Sequence, residues 1–247
     1  MLGLIFLFPL VMIVLASVAG QWNGVLPSHL TLNNYGEVFA GAPGDQIQVS
    51  VVTGVVTSGI ALVLGTAAAL ALREITGLTK RVLDLFFFMP SAVPSVSVGL
   101  GLLVAFSRPP LLLNGTPAIV ILAHLVLVSA FTYGNVVAGL ARLSPDYEQQ
   151  AESLGARPFY KLWRITLPLL LPYLLAAFSL SFALSMGELG ATMMVYPPGW
   201  VTMPVGIFAL TDRGDVFDGA ALTVILTLAT LAVLGALALV PTRAANR

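Results

Sequence analysis

Six stretches of this chain are apolar over lengths that can cross a bilayer: Leu2–Ala19, Ile47–Leu72, Val82–Phe106, Pro117–Leu140, Leu167–Gly187 and Phe217–Val240. A hydrocarbon core takes about 20 residues of helix, and backbone inside it must satisfy its own hydrogen bonds. The pattern therefore predicts an all-α integral membrane protein with six transmembrane helices. Residues 1–247 read as one transmembrane domain, with no insertion of soluble-domain size and no internal repeat. Charged residues make up 9% of the sequence, against about 25% in ordinary soluble domains.

Orientation follows from lysine and arginine, which favour the cytoplasmic side. Arg73, Lys80 and Arg81 fall between spans two and three, and Arg142, Arg157, Lys161 and Arg164 between spans four and five. Arg243 and Arg247 follow span six, so nine basic residues share one side and only Arg108 and Arg213 remain for the other. The split predicts a multi-pass protein of the plasma or inner membrane with both termini cytoplasmic. The apolar opening from Met1 has no basic flank, so it reads as a first span rather than a cleaved signal peptide. A net charge of zero makes no electrostatic case for nucleic acid. The absence of cysteine excludes disulfides and thiolate metal sites.

The longest polar interruption is Ser144–Pro168, SPDYEQQAESLGARPFYKLWRITLP, between spans four and five. Ser144 can cap a helix and Pro145 fits its first position, with Asp146 and Glu148 in the first turn, where the helix dipole favours negative charge. Tyr147, Ala151 and Leu154 recur at i, i+4 and i+7 and share one face. Gly155 is a natural stop, since it takes left-handed backbone angles without strain. A second helix can begin near Pro158, leaving Lys161 and Arg164 free for solvent or headgroups. Such a module can lie on the membrane surface or meet a partner in the aqueous phase.

Here the sequence resembles the permease subunits of binding-protein-dependent ABC importers. Their cytoplasmic loop carries EAA, three residues, Gly, nine residues, Ile, one residue and Leu-Pro. Ala151, Gly155, Ile165, Leu167 and Pro168 match at that spacing, while Gln149 stands at the Glu position and Gln150 at the first Ala. The resemblance implies a type I importer permease with the fold of methionine-importer permeases. It also implies that Tyr147, Glu148, Gln149, Gln150, Ala151, Leu154 and Gly155 form a coupling helix docked on an ATP-binding subunit. Two such subunits, a second permease chain and an external solute-binding protein are implied partners, working by alternating access.

Elsewhere the polar residues are sparse. Span three contains Pro90 and Pro94 with Ser91, Ser95 and Ser97, which reads either as a broken helix lining a cavity or as a kinked packing helix. Span four contains His124, Tyr133 and Asn135, and no second histidine or carboxylate stands at metal-ligand spacing. Ser181, Ser185, Glu188 and Thr192 follow at intervals of four, three and four, one stripe if the helix persists to Thr192. An ionisable group there faces protein or water, so the stripe is either a wall of the solute pathway or a seam against a partner subunit. Met193–Asp218 is rich in breakers, and its apolar piece Val205–Leu210 is too short to span.

No GxxxxGK[ST] phosphate loop, catalytic triad, metal site or cofactor motif is present, so no catalytic residue is assigned and the chain is not expected to be an enzyme. ATP and Mg belong to the partner subunit that the resemblance implies. An ion-coupled secondary transporter is the rival class, and it has only Glu188 and Asp84 to work with. The phrases FTYGNVVAGLARL, GELGATMMVYPPGW and TMPVGIFALTDRG look most like permeases for 2-aminoethylphosphonate. Permeases for polyamine, molybdate or sulfate, thiamine and ferric ion share the layout.

Overall fold

The computed structural model describes residues 2–40 and 43–240. Arg243 and Arg247, part of the basic-residue split, lie outside them. The chain is built from helices α1 (Leu2–Ser17), α2 (Asn33–Ala40), α3 (Pro43–Leu72), α4 (Gly77–Phe88), α5 (Ser95–Ala105) and α6 (Pro117–Leu140). After the polar stretch begins come α7 (Asp146–Ser153), α8 (Pro158–Lys161), α9 (Leu167–Met186), α10 (Gly190–Val195), α11 (Met203–Asp212) and α12 (Val216–Ala238). The described strands, β1 (Ala19–Gln21) and β2 (Ser28–Leu30), form a small antiparallel hairpin after α1. Asn34 donates from Nδ2 to the carbonyls of Ser17 and Ala19, each at 3.0 Å, and clamps the hairpin region to the end of α1.

Among the described residues, four helices are long and apolar enough to cross a membrane: Gly44–Leu72, Pro117–Leu140, Pro158–Met186 and Val216–Ala238. A bent pair, Gly77–Ala92 and Ser95–Ala105, makes a fifth if it is taken as one crossing. The chain is thus a mostly helical, multi-pass membrane protein. Its described helices supply four or five crossings on these criteria, where six were expected. The difference lies in α1, whose 16 residues fall short of the roughly 20 a crossing needs.

Span three departs most from the sequence expectation. Instead of one helix over Val82–Phe106, α4 passes through a short 3-10 turn (Met89–Ala92), then breaks, and α5 leaves at 101°. Pro94 has no amide hydrogen to continue the ladder, and Val93 before it is extended, with φ −94° and ψ 131°. The stripe expected to continue to Thr192 is broken too. α9 ends at Met186, and α10 starts afresh at Gly190.

α3, α6 and α9 pack on one another at the centre. Between them lies a cluster of Ala69, Leu72, Tyr133, Val136 and Ala177. A second cluster, Ile119, Val120, Ala123, Ala191 and Val195, joins α6 to α10. Close approach there requires glycine: a β-carbon on Gly99 of α5 would stand 2.6 Å from the Ala191 carbonyl oxygen. Large apolar side chains such as Leu64, Phe86, Leu228 and Leu231 face outward, as a lipid-facing surface demands.

Candidate functional site

The polar stretch folds into a helix, a turn and a second helix. Pro145 already has helical angles, φ −61° and ψ −20°, and Ser144 Oγ accepts the Asp146 amide at 3.3 Å, as a cap should. α7 stops at Gly155, whose φ of +82° is the left-handed geometry expected of a helix stop. The second helix does not end before the membrane. From Pro158 it runs through a π-turn (Leu162–Thr166) into α9, so Pro158–Met186 is continuous over 29 residues. α8 is thereby joined to a span without a break.

Glu148 ties α7 to its surroundings. Arg73, just past α3, donates from Nη1 to its Oε1 at 3.0 Å and makes a second bond from Nη2 to Oε2. Thr166 Oγ1 donates to Oε1 at 2.6 Å, and Lys161 Nζ lies 3.9 Å from Oε2. The Glu148 side chain is 13% exposed. Hydrogen bonding from Arg73 holds its carboxyl well below the ordinary 4.5, at about 2, despite the opposing cost of burial. The same bond raises the Arg73 guanidinium. Beside this cluster a cavity of about 340 Å³ opens among Arg73, Glu74, Lys80, Ser144 and Glu148.

Two sequence expectations are corrected here. Lys161 is not free for solvent: its Nζ pairs with Glu152 as well as approaching Glu148. Tyr147, Ala151 and Leu154 do not present one common surface either. Ala151 is buried at 8% exposure, whereas Tyr147 and Leu154 stand out at 55% and 89%. The loop's exposed apolar surface is completed by Phe159, Tyr160 and Trp163, while Gln149 and Gln150 are exposed polar positions. Arg73 and Thr166 entered the sequence reading only as a topology charge and an unremarked threonine. Their role depends on contacts 75 and 18 residues away, which no local pattern carries.

The second polar region lies at the break between α9 and α10. His124 of α6 is 1% exposed, with Nδ1 2.7 Å from Ser185 Oγ and Nε2 2.8 Å from Thr192 Oγ1. Thr132 Oγ1 and Ser181 Oγ are 2.7 Å apart. Ser181, Ser185 and Thr192 therefore pair with α6 of this same chain, and Ser185 also lines a pocket together with Glu188. Buried hydroxyls in an apolar interior need partners, and these find them internally. Glu188 is set apart from the other three. It is half-buried, and its Oε1 accepts the Ala191 amide at 2.7 Å.

A third cluster joins α4 to α6. Lys80 Nζ lies 2.9 Å from Asp84 Oδ1 and donates to Tyr133 Oη at 3.1 Å, and Tyr133 donates to Asp84 Oδ1. The Phe87 ring stacks on Tyr133 at 4.5 Å. Asp84, one of the two carboxylates a secondary transporter could have used, is already occupied. Among the described residues no group of three His, Asp or Glu side chains could hold a metal ion.

The comparisons with known proteins agree with this architecture. Residues 61–243 match the family described as binding-protein-dependent transport system inner membrane component. The chain is 55% identical over 226 residues to PhnV of Salmonella typhimurium (strain LT2), named as the permease protein of a proposed 2-aminoethylphosphonate transport system. The alignment covers 92% of this chain and 85% of PhnV. It is 36% identical over 154 residues to the molybdenum transport system permease protein ModB of Mycobacterium tuberculosis, covering 58% of each. In fold it is similar to a bacterial ABC transporter involved in the import of alginate, with TM-score 0.73 at 16% identity, covering 99% of this chain and 92% of that one. It is also similar to the MetNI methionine ABC transporter, with TM-score 0.61 at 14% identity, covering 78% and 94%. PhnV and ModB are each named as the permease protein of a transport system. With its broken and continuous membrane helices and its polar helix–turn–helix, the chain belongs to the family of inner membrane components of binding-protein-dependent transport systems.

Proposed function

We propose that this chain is the permease subunit of an ATP-driven importer for 2-aminoethylphosphonate. The observation that carries the substrate is the 55% identity over 92% of the chain to a permease named for that solute. In this reading residues 1–247 form a single transmembrane domain that crosses the membrane six times, with α1 as the first crossing, and both termini and Ser144–Pro168 are cytoplasmic. ATP and Mg are held by a separate ATP-binding subunit, present in two copies. A second permease chain and an external solute-binding protein complete the transporter.

α7 is the coupling helix. Tyr147 and Leu154 supply apolar contact to the ATP-binding subunit, with Gln149 and Gln150 beside them, and Ala151 and Gly155 let the loop fold tightly. Glu148 acts from inside, fastening α7 to Arg73 and Thr166. Closure of the ATP-binding subunits then moves α7, and the continuous helix Pro158–Met186 carries that motion into the membrane. Of the four stripe residues, Glu188 and Ser185 face the solute pathway, while Ser181 and Thr192 hold the helices that frame it.

The test is uptake of labelled 2-aminoethylphosphonate by cells that express the whole transporter. Uptake is expected to require the ATP-binding subunit and to survive collapse of the ion gradients. Molybdate, sulfate, spermidine, thiamine and ferric ion are not expected to compete. Uptake that follows the ion gradient, or displacement by one of those competitors, overturns the reading. Labelling of Ser144→Cys and Asp212→Cys from opposite sides checks the orientation.

A further inference from the structure

Two helix breaks face one pocket. α9 gives way to α10 across Gly187–Leu189, and opposite it α4 and its 3-10 turn give way to α5. The pocket between them measures about 150 Å³ and is lined by Ser91, Ser95, His124, Phe131 and Glu188, among others. Glu188 is the one carboxylate in this lining, and the lining contains no lysine or arginine.

Glu188 differs from the acidic side chains of the two ionic clusters. Asp84, Glu148 and Glu152 each meet a cation. Among the described residues no cation pairs with Glu188. One carboxylate oxygen takes the Ala191 amide, and the other has no hydrogen-bond partner among the described residues. Both ring nitrogens of His124 are engaged by hydroxyls, so the imidazole makes no direct ion pair with Glu188. A carboxylate at membrane depth is costly unless a cation or water meets it, and broken helices place such groups where solutes pass.

We propose that this pocket is a passage subsite for the primary ammonium group of the solute, with Glu188 as its counter-charge. A primary ammonium has three donors. The free Glu188 oxygen and the Ser91 and Ser95 hydroxyls supply three acceptors around the pocket. Ser91 Oγ donates to the Phe88 carbonyl at 2.7 Å, which leaves its lone pairs open. The inference rests on the reading that the solute is 2-aminoethylphosphonate, which carries this group.

The test uses the assembled transporter and a hydrophobic carbodiimide, which modifies carboxyl groups at membrane depth, with mass spectrometry reading each site. Ethylamine and 2-aminoethylphosphonate are expected to slow modification of Glu188 about tenfold, the effect of roughly 1.4 kcal/mol of binding. Ethylphosphonate, which lacks the amine, is expected to leave it unchanged. Asp84, already paired, serves as the internal reference. Equal protection by ethylphosphonate, absence of amine protection, or absence of modification at Glu188 overturns the subsite. If the wild type fails to import 2-aminoethylphosphonate while ethylamine still protects Glu188, the substrate reading falls and the amine subsite stands. Glu188→Gln keeps an acceptor for the Ala191 amide but removes the charge. It is expected to lower 2-aminoethylphosphonate uptake about tenfold, with Glu188→Asp restoring it. Wild-type uptake by Glu188→Gln overturns the role.

Discussion

The base of the molecule and its helix breaks are both polar, but they are held in different ways. Around Glu148 the bonds are ionic: two guanidinium contacts, a lysine 3.9 Å away and a threonine. Around His124 they are neutral, an imidazole between two hydroxyls. The difference follows the solvent. At the aqueous boundary a charge keeps much of its hydration and an opposite charge completes it. Between apolar helices an ion is costly to bury, and a neutral network fully satisfied inside the chain is the cheaper arrangement. The ionic region can therefore be reorganised by pH and partner contacts, whereas the neutral one fixes helix positions.

The sharpest way to break this contrast is to reverse the charge at the base. Glu148→Arg sets like charges against Arg73 and Lys161. Solute uptake is expected to fall about tenfold or more, equivalent to roughly 1.4 kcal/mol of coupling. Adding Arg73→Glu is expected to recover a large part of it, measured as uptake per ATP hydrolysed. The pH dependence has a definite sign. The folded Glu148 carboxyl titrates at about 2 against an ordinary 4.5. Its stabilising contribution is therefore complete above pH 4.5 and is lost as pH falls towards 2. Glu148→Gln is expected to flatten the thermal stability of the detergent-solubilised complex across that window.

The neutral region is tested next. Gly99→Val drives side-chain atoms into the Ala191 backbone and is expected to cost about 1–3 kcal/mol, read as a lower unfolding temperature. His124→Leu leaves the Ser185 and Thr192 hydroxyls without their imidazole partner, at a cost of about 1–3 kcal/mol. Because it keeps Glu148, it is expected to retain the loss of stability between pH 4.5 and 2 that Glu148→Gln removes. A smaller effect belongs to Gly155→Ala, about 1 kcal/mol from the left-handed backbone, seen as weaker co-purification of the ATP-binding subunit. Lys161→Ala, whose Glu152 partner is half exposed, is expected to cost under about 1 kcal/mol and to respond to added salt.

Much of this was legible in the order of the residues. Pro117–Leu140 is a helix at the bounds its apolar run set, and Leu167–Met186 and Val216–Ala238 differ by one or two residues from theirs. The Ser144–Pro145 start and the Gly155 stop of α7 were readable because caps and left-handed stops are local chemistry. The site itself was only half visible. Ala151, Tyr147 and Leu154 share a helical face, but which of them is covered depends on where α8 folds back.

Sequence alone determined that the chain lives in a membrane, where most of its apolar helices run, and that a charged helix–turn–helix interrupts them. Each of these depends on hydrophobicity, length or backbone preference, properties that a residue carries with it. Only the tertiary structure decided the partners: Arg73 for Glu148, His124 for Ser185 and Thr192, Lys80 for Asp84 and Tyr133, and none within the described residues for the Glu188 charge. It also decided that span three turns through 101° at Pro94 when a proline can equally end a helix or merely bend it. A side chain's hydrogen-bonding capacity is set by its type, but the group that satisfies it is set by which helices the packing brings together.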